Sequence, residues 1–130
     1  SFVVRRKENF ARLKEGLLDL QDSFILPEPC ENSDPCWFGF LITCKEGCDR
    51  NKVVRYAEEQ GVQTRMLFSG NLTKHPCFDQ MRREGRGYRI AGDLTVTDRI
   101  MTDTFWIGVY PGMTDAMIDR MIRVLKEAVK

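Results

Sequence analysis

The chain has 130 residues, enough for one hydrophobic core and too few for two, so one domain spanning residues 1–130 is expected. Apolar residues make up 42% of it and charged residues 30%, which excludes a disordered tail. Twenty basic against nineteen acidic side chains leave a net charge of +1, so no global field favours nucleic acid or an anionic membrane.

Phe10, Leu13, Leu17, Leu20 and Phe24 recur every three or four residues with charges between them, the pattern of a helix with one apolar face. Residues 1–24 are therefore read as a leading helix, and residues 37–130 as the sheet and its helices. Ser1 stands directly before Phe2 and offers no visible cap; with no initiator Met, that suits a fragment whose helix once continued upstream. The amino terminus also lacks the apolar stretch and cleavage site of a secretory signal.

Pro27, Pro29 and Pro35 punctuate a loop over residues 27–36, because proline lacks an amide donor and restricts the residue before it. Residues 37–44, dense in aromatic and β-branched types, predict a first strand. Asp49 is placed to cap a helix over residues 50–60 that turns Val53, Val54 and Ala57 inward, with Gly61 as its left-handed stop. Residues 62–67 read as a second strand and residues 68–92 as a long irregular segment. Asp93 starts a short helix ending near Asp103. Residues 104–109 form a third strand, and Thr114 caps a last helix whose Ile118, Met121, Leu125 and Val129 share a face. The expected class is α+β, plait-like: a small, mainly antiparallel three-stranded sheet with helices on one face and the leading helix along its side.

The longest apolar runs, residues 37–43 and 105–109, fall far short of the roughly 20 residues that cross a bilayer. Cys30, Cys36, Cys44, Cys48 and Cys77 are odd in number and unevenly spaced, which argues against a disulfide framework and for a reducing cytoplasm. Their spacing also lacks the Cys-x2-Cys pairs of closed zinc sites, so they read as ordinary thiols and no metal is expected. His75, the one histidine, stands in a loop without an identifiable partner. No phosphate cradle, nucleophile elbow or HExxH pattern occurs, so the chain is not expected to be active alone and no catalytic group is assigned within it.

Residues 61–72 carry Arg65, Phe68, Ser69 and Asn71 where a strand runs into a loop. A guanidinium clamps phosphates or carboxylates, an aromatic ring covers a sugar face, and an amide both donates and accepts. The plainer reading pairs Arg65 with a surface carboxylate and packs Phe68 in the core. Arg99, in the short helix before the aromatic third strand, is a second guanidinium, with a solvated helix face as its plainer reading.

The series Asn9-Phe10-x2-Leu13, Ser33-Asp34-Pro35-x-Trp37-Phe38-Gly39-Phe40, Gly61-Val62-Gln63-Thr64-Arg65-x-Leu67-Phe68-x-Gly70-Asn71-Leu72 and Thr97-Asp98-Arg99-x3-Asp103-Thr104-Phe105-Trp106-x-Gly108-Val109-Tyr110-Pro111-Gly112-x-Thr114 runs nearly the whole chain. In it the chain resembles the carboxy-terminal part of the CDP-4-keto-6-deoxyglucose 3-dehydrases of lipopolysaccharide biosynthesis, within the wider DegT/DnrJ/EryC sugar aminotransferase group. The resemblance implies the carboxy-terminal small domain of a fold-type-I pyridoxal-phosphate-dependent transferase, closing over substrate held by a large domain absent here. It implies pyridoxamine or pyridoxal 5'-phosphate and an iron–sulfur cluster in that large domain, a nucleotide-sugar substrate, a homodimer, and an NADH-dependent reductase as partner. The histidine that replaces the usual lysine of such enzymes also belongs to the large domain, so His75 is not given its role. Substrate contact is expected from Arg65, Phe68, Asn71 and Arg99, with Trp37 and Phe38 behind them. A sugar-nucleotide aminotransferase domain and a stand-alone binding module of plait type are the alternatives.

Overall fold

In a computed structural model describing residues 1–130, helix α1 (Phe2–Gly16) is followed by a 3-10 turn (Leu18–Leu20) and a two-residue strand β1 (Phe24–Ile25). Then come β2 (Gly39–Cys44), α2 (Arg50–Glu59), β3 (Thr64–Met66), α3 (Asp79–Glu84), α4 (Thr95–Asp103), β4 (Thr104–Gly108) and α5 (Asp115–Ala128). The class is α+β as expected, but the sheet has four strands in the order β1-β2-β4-β3, every neighbouring pair antiparallel.

The fourth strand corrects the reading of the leading helix. Leu17 leaves helical geometry (φ −111°), and Phe24, expected on the helix face, instead pairs with Cys44 at the sheet edge. The apolar spacing ran on because the 3-10 turn keeps Leu20 half-buried and the sheet buries Phe24. The irregular segment is corrected too: Asp79–Glu84 is helical, tied by Gln80 to Glu84 (2.8 Å) and by Arg82 on Asp79. Six residues are too few to show a helical period.

The caps fall where expected. Asp49 Oδ1 accepts from the amides of Asn51 (2.8 Å) and Lys52 (3.3 Å), and Thr114 Oγ1 accepts from Met117 (3.3 Å). Gly61 follows α2 with φ +80°.

Strand alternation sorts the sheet into two unlike faces. Phe40, Ile42 and Cys44 of β2 meet Phe105 and Ile107 of β4 on one face, and all five are essentially inaccessible. Leu13 and Leu17 of α1, Val53 and Ala57 of α2, and Ile118 and Leu125 of α5 complete this core. Of the face expected for α5, Ile118, Met121 and Leu125 are buried; Val129 is only half-buried, beyond the helix end. The opposite face presents Ile25, Leu41 and Trp106 to an open groove, while at its other end Thr43 bonds the buried Thr104 (2.8 Å).

A charged seam binds α1 to α5. Arg12 forks onto Asp119 (2.9 and 3.0 Å), and Arg5 reaches Asp115 at 2.5 Å. The hydrogen bond from Arg5 holds the Asp115 carboxyl below its usual range, so its contribution is present above the unfolded pKa and lost as pH falls through the lower folded value. Asp115→Asn is therefore expected to lower Tm slightly near neutrality and by less as pH falls into the acid range, the gap also closing in high salt because the pair is exposed. Melting curves from about pH 7 to about pH 3 check this; a constant gap would contradict it.

Candidate functional site

The open face and the loop beyond β3 form one continuous surface. Its groove, about 430 Å³, is lined by Leu26, Trp37, Phe38, Leu41, Phe68 and Trp106 among others. Phe38 stands edge-on to Trp106, ring centroids 5.4 Å apart, and Trp37 packs on Phe10 at 4.8 Å. Phe38 is 60% exposed and Phe68 79%, which is unusual for large aromatic rings. Phe68 also holds φ +44°. A bulky residue in the left-handed region costs about 1–3 kcal/mol, and such strain clusters at functional surfaces.

β3 brings Arg65 to the far side of Trp106. Glu58 steadies the strand by accepting from Thr64 Oγ1 (2.7 Å) and Thr64 N (3.2 Å), bonds that lower its pKa. Arg65 is exposed and lines a second groove of about 400 Å³ with Gln63, Trp106, Met117 and Arg120. Arg120 donates to the carbonyl of Gln60 (2.7 Å).

The other expected residues fall in different places. Asn71 is 3% exposed and both polar atoms of its amide are bonded within the chain: Oδ1 accepts from Thr73 N (3.0 Å) and Thr73 Oγ1 (2.7 Å), and Nδ2 donates to Asp98 Oδ1 (2.7 Å). Only the second N–H of Nδ2 has no partner, so the side chain serves the loop's framework first. Arg99 lies on the exposed side of α4, 3.9 Å from Asp103. His75 is tied to the carbonyl of Ser69 at 2.5 Å. Trp106 went unrecognised from sequence as a surface residue, although its position between buried Phe105 and Ile107 is the period-two signal that turns it outward.

The donor chemistry does not fit a complete pyridoxal-type cofactor site within this chain. The groove beside Phe38 has Glu28 as its one charged lining residue, already paired with Lys14 at 2.5 Å, so it offers no free cation to a phosphate ester. The second groove offers Arg65 and Arg120 but no amine or imidazole to move a proton. Lys74 is paired with Asp98 at 2.8 Å. No three His, Cys, Asp or Glu side chains converge as metal ligands, and burial pushes the Cys44 thiol well up, leaving it a neutral core group.

Residues 1–126 match the DegT/DnrJ/EryC1/StrS aminotransferase family. The chain belongs to that family. Among its curated members it is 46% identical to the lipopolysaccharide biosynthesis protein RfbH of Salmonella typhimurium over 97% of its own length, and 44% identical to the dTDP-4-dehydro-2,6-dideoxy-D-glucose 3-dehydratase of Saccharopolyspora spinosa over 99%. It spans only 28% and 27% of those two proteins. Solved members of the same fold include the E. coli GDP-4-keto-6-deoxy-D-mannose-3-dehydratase with bound hydrated PLP (TM-score 0.77, 19% identity, 95% of this chain and 31% of that one). The DesV structure from S. venezuelae matches equally well (TM-score 0.80, 18% identity, all of this chain and 32% of that one). The fold expected from sequence is thus the fold of this DegT/DnrJ/EryC1/StrS segment.

Proposed function

We propose that this chain is the carboxy-terminal small domain of a 3-dehydratase that removes the C3 hydroxyl of a nucleotide-linked 4-keto-6-deoxy sugar, CDP-4-keto-6-deoxy-D-glucose, for dideoxysugar and lipopolysaccharide O-antigen synthesis. The observation that carries it is identity of 44–46% along nearly the whole chain to RfbH and to a sugar 3-dehydratase. Pyridoxamine or pyridoxal 5'-phosphate, which supplies the electron sink of such chemistry, is assigned to the remaining polypeptide. This chain's part is to cover: the sheet face around Trp106 packs on that polypeptide, while Phe68, Arg65 and Arg99 face the sugar nucleotide with Phe38 behind them. Trp37, packed on Phe10, backs the covering face. The homodimer and the NADH-dependent reductase belong to the same reading, and so does a cytoplasmic setting, which suits five free thiols.

Full-length enzyme, pyridoxamine phosphate and the CDP, dTDP and GDP forms of the 4-keto sugar provide the test. The expected product lacks the C3 hydroxyl by NMR; a C4 amino sugar formed with glutamate would make the chain part of an aminotransferase. Arg65→Ala and Arg99→Ala are each expected to raise KM about 10- to 150-fold, since a hydrogen bond to a charged group contributes about 1.5–3 kcal/mol. Unchanged KM and kcat in both variants would remove these side chains from the site.

A further inference from the structure

We infer that Asp98 is a positioning residue: by gripping Asn71 and Lys74 together, it holds the loop after β3 in the one course that turns the Phe68 ring outward along the open face. One carboxylate serves both partners, Oδ1 accepting from Asn71 Nδ2 (2.7 Å) and Oδ2 facing Lys74 Nζ (2.8 Å). Asp98 is itself fixed, lying in the first turn of α4 with its amide on the Leu94 carbonyl (2.8 Å). A carboxylate is favoured there by the helix dipole.

The loop is pinned on both sides of that grip. Asn71 N meets Met101 Sδ at 3.4 Å, and Gly70 (φ +59°) presses so closely on Met101 that a Cβ would lie 2.4 Å from Met101 Cγ. Arg82 donates to the carbonyl of Thr73, and also to that of His75 at 3.4 Å. Phe68, three residues before Asn71, is exposed and left-handed, a conformation that persists only when its surroundings impose it. Asp98 ties the Asn71–Lys74 stretch of this loop onto α4, so the ring's orientation depends on a side chain that need not touch the ligand.

The inference deepens the assignment of Phe68 to the sugar nucleotide and rests on it, so two measurements separate them. The first needs no substrate. With 4-fluorophenylalanine at position 68 of the 130-residue chain, Asp98→Ala is expected to move the fluorine resonance towards its unfolded-chain position while far-ultraviolet dichroism stays unchanged. A resonance that does not move overturns the positioning role. Asp98→Asn, which keeps the shape and the acceptor for Asn71 but loses the charge facing Lys74, is expected to give a smaller shift. It carries the same test should the alanine variant fail to fold.

The second is a kinetic cycle in the full-length enzyme. Asp98→Ala is expected to raise KM about tenfold with kcat changed less than about threefold, and to add less than about twofold once Phe68→Ala is present. Fully additive effects overturn the inference. If the resonance moves but Phe68→Ala alone leaves KM unchanged, Asp98 still positions the loop, and the substrate contact of Phe68 is what fails.

Discussion

Phe105→Ala is expected to cost this chain about 3–5 kcal/mol, within reach of the whole stability of a domain this size. The ring sits in β4, wholly buried, its residue paired across the sheet with Ile42 on one side and Met66 on the other. Phe24 meets it edge-on at 6.4 Å, so the cavity would open beneath the two-residue edge strand as well. The neighbours on β2 are held by the same ladder and cannot collapse into the space. Urea unfolding followed by dichroism should show the transition displaced or absent at ambient temperature; a loss under about 1 kcal/mol would mean that the core is not centred here.

Trp106→Lys is expected to act differently in the 130-residue chain and in the proposed full-length dehydratase. The indole lies on the open face over Gly39, where a Cβ would come within 2.7 Å of Trp106 Cε3, and Phe38 stands against its edge. In the 130-residue chain the ring is half-exposed, so its loss should lower Tm only modestly. If the face docks on the cofactor-bearing remainder, a charge at its centre should cost about 2–4 kcal/mol, about 30- to 1,000-fold in turnover. Activity assays of the full-length variant beside melts of the short chain read the two effects. Equal damage in both, or full activity in the enzyme, would mean that this face docks on nothing.

Much of the architecture was legible because its causes are local. The Asp49 and Thr114 caps, the left-handed Gly61 and the apolar stripe of α5 each follow from a few neighbouring residues. The edge strand was not, because Phe24 satisfies a helical spacing and a strand pairing equally well, and only Cys44 across the sheet decides between them. The motif blocks pointed to the family to which residues 1–126 belong.

The candidate site divides in the same way. Arg65, Phe68 and Arg99 can be picked from sequence by their chemistry, and all three are exposed. Asn71 was picked on the same ground, yet it is buried and its amide is held by Thr73 and Asp98, partners that lie two and 27 residues away. What sequence alone determined is the family, the α+β class and the helix caps, since these depend on residue type and short-range periodicity. Which side chains stand free, that Phe68 is held in a strained turn and that a groove opens on one sheet face were decided by tertiary structure, because hydrogen-bond partners and burial are set by contacts between residues remote in the chain.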